Sequence, residues 1–348
     1  MNECYTKNEL VIFLCVEVNF KNILISRTDS IGDVVLTLPI TVWLKEQFPT
    51  AKLTFLCKKY TQPIVKSFAS VDETLDVDDL LQDQNKAIET LKQFDVIIHV
   101  FPNKDVARLA KKAGVKWRIG TSHRFFHWFS CNKRVSFTRK NSDLHESQLN
   151  FNLLKPLGLK EIPSFLTIQE MVNQYQPTEK ELPAILHGID LNQSIILHPK
   201  SKGSAQEWPL TKYNELAKEL VKEGFQVLFT GTEEEGKLFR NEIEWQQNIV
   251  DVSGKLTLEQ LQWLIKSCHA LVACSTGPYH IAGISGIKAV GLFAAIRPIH
   301  PGRWRALGSK SSAIIYGNDC ETCDKNHSCE MVSKISVYKV LNAVKSEN

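Results

Sequence analysis

Residues 22–48 read Asn-Ile-Leu-Ile-Ser-Arg-Thr-Asp-Ser-Ile-Gly-Asp-Val-Val-Leu-Thr-Leu-Pro-Ile-Thr-Val-Trp-Leu-Lys-Glu-Gln-Phe. Residues 22–26, with Ile23, Leu24 and Ile25 at their centre, predict a buried strand. The polar turn that follows leads into 33–48, apolar on nearly all sides, which predicts a buried helix. A buried strand, a Gly-containing turn and a buried helix make the opening unit of a parallel α/β sheet.

The pattern continues outward from this unit. Strands are predicted at 52–57, 95–101 and 116–119, with helical stretches between them and a closing helix at 146–157. Residues 160–191 hold Pro163, Pro177 and Pro183 with little periodicity and read as a linker. The pattern then restarts. Strands are predicted at 194–198, 226–229, 270–274 and 288–293, and helices at 210–223, 256–267, 278–285 and 333–344, with Gly224 suited to a helix C-terminus. Two doubly wound domains facing across a cleft are expected, 1–175 and 176–348, with the final helix able to pack back on the first domain. A chain of 348 residues accommodates two such cores. Ligands of these sheets bind at the carboxyl ends of the strands, so the loops there are where function is sought.

Composition narrows the class. The chain is 43% hydrophobic and 23% charged, ordinary for a globular protein, and no apolar run is long enough to span a bilayer. The short apolar stretch 10–18 lacks a small-residue cleavage site and reads as an extra strand or a loose extension rather than a secretory signal. Nine cysteines in a chain this long do not form a secreted disulfide framework, and Cys15, Cys57, Cys268 and Cys274 sit in apolar surroundings, which points to the cytoplasm. The net charge is +4, but residues 104–140 hold eleven Lys and Arg against the single acid Asp105, so this block carries +10 and the rest of the chain −6. Trp117, Phe125, Phe126, Trp128 and Phe129 are interleaved with it. The block suits an anionic partner or a peripheral membrane contact; the alternative is a solvated helix and loop.

Four loops after strands carry candidate chemistry. In Ser26-Arg27-Thr28-Asp29-Ser30-Ile31-Gly32-Asp33, Gly32 permits close backbone approach. Asp33 suits a general base, with Asp29 as a substitute, or else a first-turn carboxylate complementing the helix dipole. The loop His198-Pro199-Lys200-Ser201-Lys202-Gly203-Ser204, before Glu207-Trp208-Pro209, concentrates cations, hydroxyls and free amides suited to a diphosphate. In Ser275-Thr276-Gly277-Pro278-Tyr279-His280, Pro278 fits a helix start whose amides make an anion site, with His280 one turn in. Thr230-Gly231-Thr232-Glu233-Glu234-Glu235 offers carboxylates to a ribose, or to the helix dipole. Cys320, Cys323, His327 and Cys329 form a fifth cluster, packed too closely for the paired-knuckle zinc pattern; free or redox-linked thiols are the favoured reading and no metal is expected.

Taken in order, these loops resemble glycosyltransferase family 9, the ADP-heptose–lipopolysaccharide heptosyltransferases. The resemblance runs from about Lys21 to Gly308. It is carried by Asp29-Ser30-Ile31-Gly32-Asp33 with Leu36-Thr37-Leu38-Pro39, by His198-Pro199 with Trp208-Pro209, and by Ser275-Thr276-Gly277-Pro278-Tyr279-His280. It implies a GT-B fold and inverting transfer from a nucleotide-diphosphate sugar to an anionic glycolipid, without a cofactor. Asp33 matches the family's proposed base. Lys200, Ser201, Lys202, Gly203, Ser204, Ser275, Thr276, Gly277, Pro278 and His280 match the loops that hold the donor diphosphate, and Thr232 and Glu233 the nucleoside contacts. Arg27, Asp29, Ser30, Gly32, Arg118 and Arg124 fall on the acceptor side. The chain departs from the family at Gln206, where a lysine is common, and at Ser275, where an aspartate is. The alternatives are a GT-B enzyme using another donor, a nucleotide-sugar epimerase, or a catalytically idle binder of sugar nucleotides or anionic glycans. Nucleic acid is not the expected partner, because the second-half loops would then have no role.

Overall fold

The computed structural model describes residues 19–139, 142–296, 299–317 and 331–346. The segment 10–18 and the Cys320, Cys323, His327 and Cys329 cluster lie outside the described residues.

Two six-stranded sheets form, both wholly parallel. The first comprises β1 (Asn22–Ser26), β2 (Lys52–Cys57), β3 (Glu73–Asp76), β4 (Val96–His99), β5 (Trp117–Thr121) and β6 (Lys133–Val135), in the order β3-β2-β1-β4-β5-β6. The second comprises β7 (Ser194–His198), β8 (Gln226–Phe229), β9 (Ile249–Asp251), β10 (Ala270–Cys274), β11 (Lys288–Phe293) and β12 (Ser311–Ile315), in the order β12-β11-β10-β7-β8-β9. Renumbered from its own first strand, the second order is the first read backwards. Both are the doubly wound nucleotide-binding topology, with the strand order reversing beside β1 and β4 in one sheet and beside β7 and β10 in the other.

Central strands are buried on both faces, as the continuous apolar runs require: Ile23, Leu24 and Ile25, and Ala270, Leu271, Val272 and Ala273, are inaccessible to solvent. The helices used below are α1 (Ile31–Val35), α2 (Pro39–Gln47), α3 (Lys104–Lys112), α4 (Phe125–Ser130), α5 (Glu146–Phe151), α6 (Leu210–Lys222), α7 (Glu233–Lys237), α8 (Leu258–Ser267), α9 (Gly277–Ile284) and α10 (Val337–Lys345). One buried apolar cluster runs from Ile23 and Val34 in the first half to Leu264 and Ile281 in the second, so the halves share core as well as surface.

The structure departs from the expected elements at several points. The single helix over 33–48 is two helices, α1 and α2. Pro39 has no amide proton for an i→i−4 bond and opens α2 instead, and Thr37 Oγ1 bonds the Asp33 carbonyl at 2.8 Å. The closing helix over 146–157 is α5 followed by a 3₁₀ stretch, Asn152–Leu157, containing Pro156. The final helix over 333–344 is broken at Ile335, whose carbonyl accepts bonds from Trp208 Nε1 and Lys212 Nζ. α10 packs on α6 and β11 of the second sheet rather than on the first half. Strands β3, β6, β9 and β12 are the edge strands of the two sheets, and their mixed composition gave no apolar run. Within 160–191, Phe165–Met171 is helical, and Ile168, Val172 and Tyr175 are buried.

Candidate active site

A cavity of about 850 Å³ lies between the carboxyl ends of the two sheets. The first half contributes Ser30, Ile31, Gly32, Asp33 and Tyr60. The second contributes the loop after β7, the Thr230–Glu235 turn, the Ser275–Pro278 turn and His280, with Leu256, Leu258, Leu261 and Trp304 as apolar wall. It is the crevice that two facing switch points produce.

Asp33 is the third residue of α1. Ser30, at the N-cap, turns its hydroxyl to Asp33 Oδ2 at 2.6 Å instead of capping a backbone amide. Arg27 Nη2 pairs with Asp33 Oδ1. Each carboxylate oxygen keeps a further lone pair for an incoming hydroxyl. Arg27 does not line the cavity; it is 4% exposed and lies behind Asp33, with Nε 2.7 Å from Asp29 Oδ1 and Nη1 3.9 Å from Glu146 Oε1. Desolvation pushes the Asp29 carboxyl up despite Arg27, and the Asp33 charge adds to that.

Glu146, the first residue of α5, is 2% exposed and is met by three arginines. Arg139 approaches within 3.0 Å, and Arg303 of the second half within 2.7 Å. Buried carboxylates require such pairing. A continuous charged chain therefore runs Arg303–Glu146–Arg27–Asp33, from one half to the cavity edge of the other.

On the opposite wall, the loop after β7 is shaped by Glu207. Its carboxylate accepts from Lys200 Nζ at 2.5 Å, from the Ser201 amide at 2.8 Å and from Ser201 Oγ at 3.0 Å. Lys200 is thereby ion-paired, whereas Lys202 is exposed on the cavity rim. Lys202 adopts φ +50° and Gly203 φ +78°. A left-handed lysine is rare, and the bend falls at the cavity rim. Gly203 supplies the bend without lining the cavity. Ser204 Oγ bonds the Ser201 carbonyl at 2.8 Å. Trp208 is buried and anchors the far end of the loop on Ile335.

At the start of α9, Thr276 Oγ1 and His280 Nδ1 are both buried and have no hydrogen-bond partner, though buried polar atoms are nearly always satisfied. Burial pushes the His280 imidazole down to about 4, so it is neutral near pH 7. The two halves touch here: a Cβ on Gly32 would lie 2.8 Å from His280 Cδ2, and one on Gly277 would lie 3.0 Å from Ile31 Cβ. Gln206 Oε1, at the position where a lysine was looked for, is likewise buried and unpaired.

Other expected residues have other partners. Thr232 caps α7 through Glu235 in a reciprocal pair at 3.3 and 2.7 Å, and Glu233 is held by both Nη atoms of Arg240 at 2.7 Å. Arg118 donates to the Ser130 and Val115 carbonyls, and Arg124 is an exposed residue at the N-cap of α4; neither reaches the cavity. The chain's one Asp-x-Asp, Asp76-Val77-Asp78, lies at the edge strand β3, where Asp76 Oδ1 caps the next helix. Sequence reasoning assigned no part to Glu207, Glu146, Arg303 or Tyr60. Glu207 lay within a quoted motif and was open to recognition as a loop organiser. The others carry no local signal, since their meaning arises only from contacts across the fold.

Two facing nucleotide-type sheets, with a carboxylate on one lip of the cleft and an anion-suited helix start on the other, define a GT-B glycosyltransferase. Residues 86–333 match the model of glycosyltransferase family 9 (heptosyltransferase), and the chain belongs to that family. It is 26% identical over 320 residues to a putative glycosyltransferase of Haemophilus influenzae, covering 85% of this chain and 89% of that one. It is 23% identical over 333 residues to lipopolysaccharide heptosyltransferase 3 of Escherichia coli, covering 90% and 95%. Among solved structures, ADP-heptose lps heptosyltransferase II of Escherichia coli superposes with a TM-score of 0.68 at 18% identity, covering 93% of this chain and 97% of that one.

Proposed function

We propose that this glycosyltransferase moves heptose from ADP-heptose to a hydroxyl of the anionic inner core of lipopolysaccharide, with inversion, at the cytoplasmic side of the inner membrane. The observation that carries the reading is one cavity with the Asp33 carboxylate on its first-half wall and unpaired diphosphate-suited groups on its second-half wall. The names of the similar heptosyltransferases support the choice of donor and acceptor.

In the reaction, Asp33 accepts the proton of the acceptor hydroxyl as that oxygen attacks the anomeric carbon. Arg27 and Ser30 fix the carboxylate without occupying all its lone pairs. The carbon–oxygen bond to the diphosphate breaks on the opposite face, and the negative charge that develops there is met by Lys202, Thr276 Oγ1, the first amides of α9 and neutral His280 as a donor. Lys200 contributes less directly, because its charge is shared with Glu207. This cationic and dipolar cradle performs the charge neutralisation that a divalent ion performs elsewhere, so EDTA leaves turnover unchanged.

The test is transfer from ADP-heptose to heptose-deficient lipopolysaccharide in EDTA, beside calorimetric titration with ADP. Asp33→Asn lowers turnover by about 10²–10⁴-fold and leaves ADP affinity near wild type. Lys202→Ala weakens ADP binding by about tenfold or more, as loss of a charged hydrogen bond does. Near-normal turnover in Asp33→Asn removes the base assignment. Preference for UDP or GDP over ADP moves the donor, and nucleotide binding with no transfer makes the chain an idle binder.

A further inference from the structure

We infer that the face formed by α3 and α4 is a docking surface for an anionic lipid bilayer. α4 exposes three large aromatics within five residues: Phe125 is 79% exposed, Trp128 57% and Phe129 62%. Single exposed apolar side chains are ordinary, whereas a contiguous cluster marks an interaction surface. Trp128 Nε1 is already satisfied by the Ser122 carbonyl at 3.0 Å. Its ring is thus free to enter an apolar layer without stranding a polar group.

Cations lie on the elements beside the cluster, with one acid, Asp105, paired to Arg108 at 3.4 Å. α3 packs beside α4 and buries Val106, Ala107, Leu109 and Ala110. Its opposite face carries exposed Lys104, Arg108, Lys111 and Lys112, at the i, i+4, i+7, i+8 spacing of one stripe. From the other side, the Arg134 guanidinium lies 4.8 Å over the Trp128 ring. Aromatics at the centre and basic residues around them are what the boundary of an anionic bilayer selects.

Two features favour a bilayer over a nucleic acid. Phe125 and Phe129 meet edge to face at 5.1 Å with planes 71° apart, which makes one apolar mound rather than parallel faces set for successive bases. The aromatics also stand on the outside of a helix, not along a groove. The position suits a membrane-bound acceptor: α4 begins at the carboxyl end of β5, two strands from β1. At the usual strand spacing that is ~10 Å along the sheet edge from the loop that holds Asp33.

The test is sedimentation of the full chain with vesicles of phosphatidylethanolamine and phosphatidylglycerol, against phosphatidylcholine alone, at low and high salt. The chain is expected to partition to the anionic vesicles only, and less at high salt. Phe125→Ser with Phe129→Ser lowers the partition coefficient at least tenfold. Lys104→Gln with Arg108→Gln and Lys111→Gln lowers it about fivefold per cation and flattens the salt dependence. ADP titration of both variants remains at wild type, which shows that they are folded. Equal partitioning of wild type and variants overturns the inference, as does no partitioning to anionic vesicles. Tighter binding to single-stranded RNA that the same variants lose, or a dimer that they dissolve, also overturns it. None of these readouts depends on sugar transfer, so failure of the transfer reading leaves the vesicle result standing.

Discussion

At the residue scale, the buried histidines set how the protein meets acid. His99 has both ring nitrogens unpaired, and burial pushes it down to about 3. His145 is pushed to about 3; its Nδ1 accepts from the Ser147 amide and its Nε2 donates to the Arg305 carbonyl. His280 stands at about 4. In the unfolded chain each takes a proton near 6.5. Below that pH the unfolded state binds protons that the folded state refuses, so stability falls as pH drops from about 6.5 towards 3–4. Each histidine contributes about 1.4 kcal/mol per pH unit within that window. Calorimetric melting between pH 7.5 and 4.5 should show this decline, and His99→Leu should reduce its slope by one proton. An unchanged slope in that variant would mean His99 already finds a partner.

Residue-level legibility was uneven for a physical reason. Asp33, Lys202, Thr276 and His280 follow strands in a topology whose strand ends bear ligands, so position together with residue type and the family resemblance nominated them, and the cavity brings all four together. Arg27 was placed on the acceptor side by the family resemblance, but its burial is a tertiary property. Glu146 read only as the start of a helix, because the arginines that give it meaning lie in separate segments.

At the scale of elements, central strands were legible and edge strands were not. β1, β2, β7, β8, β10 and β11 are covered on both faces and need unbroken apolar runs. β3, β6, β9 and β12 are the sheet edges, where Glu73, Lys133, Arg134 and Ser311 are tolerated. Helix breaks were missed where a single proline or a carbonyl drawn to a distant donor outweighed periodicity. The pairing of α1 with α9 rests on small residues at the crossing. Gly32→Ala places a methyl within 2.8 Å of His280, which has both halves around it and little room to yield. The expected cost is about 1–3 kcal/mol, read as a lower Tm together with reduced transfer. An unchanged Tm would show that the two helices part without penalty.

At the scale of the whole molecule, the charged chain Arg303–Glu146–Arg27–Asp33 ties the seating of one half to the carboxylate of the other. Glu146→Gln leaves three arginines short of a buried counter-charge, at a cost of about 3–5 kcal/mol. In protein that still folds, kcat is expected to fall more than ADP affinity: Arg27 loses a counter-charge directly behind Asp33, whereas on the second-half wall only Arg303, beside Trp304, is loosened. Equal loss of both would point to general unfolding of the cleft.

The same chain bears on how such proteins can recombine. Two sheets of like topology invite the exchange of one half for that of a relative, as a route to new donors. The seam between them is not neutral: Gly32 is matched to His280, and Glu146 to Arg303. A hybrid keeps the seam where the incoming half supplies a residue of the same size or charge at these positions, and meets a clash or a stranded charge where it does not. The choice of parent for shuffling therefore turns on these two matches.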